Sequence, residues 1–484
     1  REHRGNRPVS GVVYSHSHVD HFGGVGGVTD GTVPILAPAG FLENAVAENV
    51  HAGPAMARRS LYHTGSHLEI GPRGQIGVGL GQTRSVGTVT LIAPNREITR
   101  TGQEEVVDGV RIVFQMTPGT EAPTEMNFYF PDHRALCMAE NVTHNLHNIL
   151  TLRGAPVRDA RVWSRYLDES VELVAHESDV LFASHHWPTW GTEKLVDLLS
   201  QQRDLYAYLH DQTLRLMNRG YVGAEIAEHL RMPPGLEREW HTRGYYGSVS
   251  HNVKAIYQRY LGWYDGNPAS LWEHPPVESA RRYVDTIGGT DTVVARARAY
   301  ADDGDPRFAA QLLRHAVFAD PAHAGARELL ASVFQRLGEG AENATWRNCY
   351  LTGASELRGG VAHTGLAASG MAAMLTVTQL FDTVSIRVDG LRAAALSVVI
   401  DWNITDLGET YRTEVSNGVL VHWPTAGEGD GTTDLTLRLT KARLLGLLAY
   451  GDTDGIDHDG DLDAVRRVME VLERPDPDFA IVTP

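Results

Sequence analysis

The chain has 484 residues, more than one hydrophobic core usually accommodates, so two to four domains are expected. Its 42% hydrophobic and 21% charged residues are ordinary for a globular protein and exclude disordered, collagen-like and fibrous architectures. A net charge of −17 repels polyanions and no block of Lys or Arg offsets it, so no nucleic-acid partner is expected; no apolar run reaches the roughly 18 residues of a membrane span.

Residues 11–14 read as a buried strand that ends at a cluster of histidines, and residues 41–57 as a helix. Residues 74–87 are Gly-rich, but Gly77-x-Gly79-x-Gly81 is too weak a pattern for a phosphate loop and reads as an ordinary flexible one. Strands are expected at 110–114, 126–130, 135–138 and 179–183. Helices are expected at 157–174 and 193–219, the last stopped by Gly220. Strands interleaved with helices predict an α/β domain of layered sheets over residues 1–265. Pro275-Pro276 then marks a joint. The Ala/Arg/Leu-rich stretch up to Leu357 predicts an all-α domain, residues 266–358, with one or two tetratricopeptide-like helix pairs. That is too few for a solenoid, so the helices should pack on a neighbouring domain or a second subunit. Residues 359–484, changing character near Gly365, read as a small α+β domain with strands at 396–400, 411–415, 419–422 and 435–439 and helices at 444–448 and 465–472.

The densest chemistry is Ser15-His16-Ser17-His18-Val19-Asp20-His21, directly after a strand. Imidazole with carboxylate suits Zn²⁺ or a related divalent ion. Alternation along an extended segment puts His16 and His18 on one side, while Asp20 and His21 can turn towards a second ion. Two ions need more ligands. Three further segments place His or Glu beside turns after expected strands: Glu121 in Thr-Pro-Gly-Thr-Glu-Ala-Pro, Glu140 in Ala-Glu-Asn, and His185 with His186 in Ser-His-His-Trp-Pro. Convergence at one sheet edge follows if the strands are neighbours.

His-x-His-x-Asp-His resembles the signature of the metallo-β-lactamase superfamily. With Thr-Pro-Gly-Thr-Glu-Ala-Pro, Ala-Glu-Asn-Val-Thr-His-Asn-Leu-His-Asn, Thr-Leu-Arg-Gly, Ser-His-His-Trp-Pro and Gly-Tyr-Tyr-Gly-Ser-Val-Ser-His-Asn, the chain is similar to the zinc-dependent alkyl sulfatases of that superfamily. The resemblance implies an αββα sandwich, a helical dimerisation domain and a sterol-carrier-like C-terminal domain, assembled as a homodimer. It implies two Zn²⁺ per chain: His16, His18 and Glu121 on one, Asp20, His21 and His185 on the other, Glu140 between them. Arg153 would hold a sulfate through its planar guanidinium, and Asn148 could donate from the same segment. His186, His251 and Tyr257 are candidates for proton donation or sulfate contacts, with nothing in the sequence to rank them. Asp20 and Glu140 join the catalytic set through the ions.

The implied reaction is hydrolysis of alkyl sulfate esters such as dodecyl sulfate. Rivals are another ester or lactam hydrolysis on the same metal centre, or a non-catalytic lipid-binding fragment. The family's catalytic domain begins well ahead of the histidine motif, so a chain starting at Arg1 is expected to lack its leading part, and its cellular location stays open. Cys137 and Cys349 have no C-x-x-C spacing. The acidic stretch 451–463 lacks the full spacing and terminal Glu of a calcium loop and is expected to be a turn. The Asn141, Asn343 and Asn403 triplets match a glycosylation pattern that is common by chance.

Overall fold

Short apolar runs in the first 200 positions form two sheets, and their alternation decides what each face covers. The computed structural model describes residues 5–83, 85, 87–363, 371–426 and 433–484. Within them β1 (Val12–Val13), β2 (Ile35–Pro38) and β3 (Arg96–Ile98) pair in parallel, in that order. β4 (Glu104–Val107), β5 (Val110–Met116), β6 (Met126–Phe130), β7 (Ala135–Cys137), β8 (Val180–Phe182) and β9 (Thr189–Trp190) make a second sheet in chain order, antiparallel except for β7 with β8.

Leu36 of β2 turns inward and packs with Ile98, Ile112, Phe114 and Met126 between the sheets. Its neighbours Ile35 and Ala37 face the other way, onto Tyr14 and onto Phe41 and Ala45 of α1 (Phe41–Val46). Each buried Leu, Ile, Phe or Met among them contributes about 1.5–3 kcal/mol. On the outer face of the second sheet, Leu136 and Leu181 pack against Trp163 and Leu167 of a helix spanning Ala160–Leu173 and Leu195 and Leu199 of another spanning Thr192–Met217. The result is the expected helix–sheet–sheet–helix sandwich. β2, β3, β4 and β9 were outside the expected set.

The helix expected over 41–57 is broken. Pro54 has no N–H to continue the ladder, and residues Ala47–His51 widen into a π-type turn, with Ala52 N–H bonded to Ala47 C=O at 3.4 Å. α2 (Gly53–Thr64) then restarts with Pro54 in its first turn. The two helices on the outer sheet are α3 (Ala160–Leu173) and α4 (Thr192–Met217). The Gly-rich stretch is a loop as expected, although positions 84 and 86 lie outside the described residues. Gly79 (φ +90°) passes so close to the Tyr246 backbone that a Cβ would sit 2.9 Å from it.

Against α4 lie α5 (Gly223–His229), α6 (Pro234–Glu237) and α7 (Val249–Leu261). The helical stretch follows as α8 (Pro276–Ile287), α9 (Thr290–Asp302), α10 (Pro306–Ala319), α11 (Ala324–Glu339) and α12 (Ala344–Gly359), with Asp305 and Asn343 accepting N-cap bonds. Ala at core positions lets Leu313, Val317, Leu330 and Val333 close the space between these helices. α12 packs on α2, where the fully buried Arg58 ion-pairs with Glu356 and donates through Nε to the Phe479 carbonyl at 2.8 Å. Asn343 Nδ2 donates to the Gly244 (3.0 Å) and Tyr246 (2.9 Å) carbonyls, so that triplet is interior.

The last domain has a sheet ordered β12-β11-β10-β13-β14: β10 (Val398–Ile404), β11 (Glu409–Ser416), β12 (Val419–Pro424), β13 (Leu435–Leu439) and β14 (Asp457–Gly460). α13 (Val377–Ser385), α14 (Lys441–Tyr450) and α15 (Asp463–Glu470) pack on it. Part of the acidic stretch expected as a turn is therefore strand β14, because it pairs with β13. The change of character near Gly365 falls outside the described residues. Between sheet and helices, Phe381, Trp402, Leu447 and Val465 line a space of about 20 Å³, room for about one water and not for an alkyl chain.

Candidate metal centre

The candidate ligands leave strand ends on one edge of the sandwich. Beyond β1, Met126 N–H bonds to Ser15 C=O at 3.0 Å and His16 bridges Glu125, so the segment stays extended through His18 before a 3₁₀ turn carries Asp20 and His21. Glu121 sits in the β5–β6 turn, Glu140 just after β7 and His185 just after β8. Sheet pairing brings these ends together.

Their donor atoms form two groups, each within 4.8 Å: His16, His18, Glu121 and Glu140, and Asp20, His21 and His185. Glu121 Oε2 lies 2.7 Å from His18 Nδ1 and 3.2 Å from His16 Nε2. Asp20 Oδ2 lies 3.4 Å from His21 Nε2 and 3.6 Å from His185 Nε2. Glu140 Oε2 lies 3.3 Å from His16 Nε2, 2.9 Å from His21 Nε2 and 3.6 Å from His185 Nε2, so one carboxylate oxygen reaches both groups.

The donors fit divalent metal. His16 Nε2, His21 Nε2, Glu121 Oε2 and His185 Nε2 are buried without a hydrogen-bond partner among the described residues. Buried polar atoms are nearly always paired. Four orphans of ligating type, aimed at one another, are what a cation satisfies. Burial and then the charge of His21 push His16 down to about 4. Burial opposes ionisation of Glu140, but the His185 charge and the His147 hydrogen bond outweigh it and hold the carboxyl well below its usual range.

Three of the other sequence candidates border these groups. Asn148 is fully buried; its Oδ1 accepts from Arg158 while Nδ2 has no hydrogen-bond partner among the described residues. Arg153 is ion-paired through Nη1 with Glu48, and among the described residues no group accepts from its Nε or Nη2. His186, in the left-handed region (φ +69°), accepts the His144 N–H on Nδ1 at 2.9 Å. His251 and Tyr257 have other contacts. Trp346 Nε1–H donates to His251 Nδ1 at 3.3 Å and His251 Nε2–H donates to the Leu150 carbonyl, so neither ring nitrogen is free. Tyr257 packs its ring on Gly223 between α5 and α7.

Comparison with known proteins decides the family. Residues 1–185 match the metallo-β-lactamase superfamily, residues 222–360 the alkyl sulfatase dimerisation family and residues 366–484 the alkyl sulfatase C-terminal family. A linear primary-alkylsulfatase from a Pseudomonas species is 44% identical, over 100% of this chain and 74% of that protein. The alkyl/aryl-sulfatase BDS1 of Saccharomyces cerevisiae is 43% identical, over 100% of this chain and 76% of its own length. The chain belongs to the alkyl sulfatase family. The solved structure of a stereoselective inverting sec-alkylsulfatase, Pisa1 from Pseudomonas, superposes with a TM-score of 0.97 at 42% identity, over 100% of this chain and 78% of that one.

Four residues of this alkyl sulfatase site escape a reading by motif. Glu125 accepts the Glu121 (3.0 Å) and Glu140 (3.1 Å) backbone N–H groups and the Thr120 hydroxyl (2.9 Å), tying two candidate ligands together. Burial, then the Glu121 charge, raises it to about 8. His147 Nε2 bonds Glu140 Oε1 at 2.9 Å, and Arg158 ion-pairs with Glu121. Glu48 contacts His18 and Arg153. A second carboxylate four residues after Glu121 and a second histidine after Glu140 are the only local signals; Arg158 and Glu48 have none.

Proposed function

We propose that this chain is a binuclear zinc alkyl sulfatase that hydrolyses alkyl sulfate esters, dodecyl sulfate among them, to alcohol and inorganic sulfate. The observation that carries the reading is the pair of donor groups sharing Glu140, with orphaned His and Glu atoms facing one another. Similarity over 100% of this chain, and 74% and 75% of the length of two proteins named alkylsulfatases, supports the substrate class.

His16, His18 and Glu121 would hold one ion, Asp20, His21 and His185 the other, and Glu140 both. When bound, the ions supply Lewis-acid stabilisation and lower the pKa of water beside the ester. The protein's own groups bind and orient. The unpaired Asn148 Nδ2 and the open edge of the Arg153 guanidinium can donate to sulfate oxygens, fixing the ester against the donor groups. Glu125 and Arg158 hold Glu121 in place, and His147 does the same for Glu140. Because His186 accepts on Nδ1, its proton sits on Nε2, which is hydrogen-bonded to the Gly79 backbone; donation to the departing alkoxide oxygen would require that bond to be given up. Exposed Trp263, Trp272 and Tyr283 in the helical region, matched to a dimerisation family, support a homodimer. Zinc analysis together with sulfate release from dodecyl sulfate tests the reading. Trace metal only, or no sulfate released from zinc-loaded protein, overturns it.

A further inference from the structure

Glu48 is a buried carboxylate to which neither the ligand set nor the anion site gives a role. It stands on the π-type turn Ala47–His51, and the widening there delivers it to the inside of the sandwich edge. Its two oxygens divide between two partners. Oε2 lies 3.3 Å from His18 Nε2, while Oε1 ion-pairs with Arg153 Nη1. His18 meets Glu121 with its other nitrogen, Nδ1, at 2.7 Å. If Nδ1 is the ligating atom, Nε2 carries the proton, and Glu48 is its acceptor. On the far side, holding Nη1 leaves the Nε and Nη2 edge of Arg153 without an acceptor among the described residues.

We propose that Glu48 is a positioning residue shared by the metal centre and the anion site: one oxygen orients His18 towards its ion, the other orients Arg153 towards the sulfate. The proposal rests on the role given above to Arg153. An ionised carboxylate is suited to the position because both neighbours are donors. A glutamine has one acceptor oxygen and one amide donor, so it can satisfy His18 or Arg153 but opposes the other. Loss of an outer-shell partner of a ligating histidine typically weakens metal binding by about 10–100-fold.

The test is Glu48→Gln in the full chain. Stepwise zinc affinities of chelator-stripped protein are read by competition with a chromophoric chelator, a measurement that needs no turnover. One of the two affinities should fall by about 10–100-fold while the other stays within about threefold. At saturating zinc, KM for dodecyl sulfate and the inhibition constant of inorganic sulfate should both rise, with a smaller change in kcat. In the Arg153→Ala background the effect on KM should vanish and the effect on zinc should remain. Wild-type zinc affinities in Glu48→Gln, or a KM effect that persists without Arg153, would overturn the proposal. If Glu48→Gln loses the native circular dichroism, Arg153→Ala alone serves: freeing Glu48 should change one zinc affinity by at least about threefold, and an unchanged pair contradicts the link. A wild-type protein that binds zinc but releases no sulfate would sink the sulfatase reading, while the zinc measurements still judge the Glu48–His18 contact.

Discussion

His147 Nε2 donates to Glu140 Oε1 at 2.9 Å and thereby leaves Oε2 to face His16, His21 and His185. The hydrogen bond fixes which oxygen lies between the two ligand groups. Glu140→Gln keeps the shape but removes a charge that two dications need between them. It should abolish sulfate release and lower zinc content below two per chain, with circular dichroism unchanged. Normal zinc and normal release in that variant would refute the shared-ligand role.

Arg153→Lys replaces a planar fork by a point charge and cannot both meet Glu48 and present a second edge. kcat/KM for dodecyl sulfate should fall by roughly 10–1000-fold, mostly through KM if the guanidinium acts in binding. Full activity in Arg153→Ala would remove it from the anion site.

The pair Arg58–Glu356 is a structural counterpart, far from the chemistry in role but deeply buried. Glu356 also accepts the Ile481 N–H at 2.9 Å, so one carboxylate joins α2, α12 and the last residues of the chain. Glu356→Ala strands the Arg58 charge and should destabilise the fold by about 3–5 kcal/mol in denaturant unfolding. A loss below about 1 kcal/mol would mean that water reaches Arg58.

Assembly is read by light scattering. Trp272 is 96% and Trp263 77% exposed in the isolated chain, and burying such rings is worth more than their number suggests. The expected mass is twice the 53.1 kDa of one chain. Trp272→Asp together with Trp263→Asp should shift it towards the monomer, whereas a monomeric wild type contradicts the dimer.

How much was legible follows from where the information lies. The histidine motif and Glu121, Glu140 and His185 stand beside strand ends in the sequence itself, so chemistry and position coincide locally. Strands 126–130 and 435–439 carry a clear alternation and form at those residues. Pro54 is a visible breaker, and weighing it splits the helix expected over 41–57. Glu48 acquires its meaning only from the π-type turn beside that break, and Arg158 only from a contact 37 positions away with Glu121. His251, a histidine in a suggestive run, has its ring hydrogen-bonded to Leu150 and Trp346, contacts that its local sequence does not announce. Tertiary packing assigns such residues, and no local pattern encodes it.

The most direct test of the central claim is a titration of chelator-stripped protein with zinc, reading sulfate released from dodecyl sulfate at each addition. The binuclear account predicts negligible release without zinc, a rise up to two equivalents per chain and a plateau beyond. Release at full rate without zinc, or saturation of both zinc sites with no release, would contradict it.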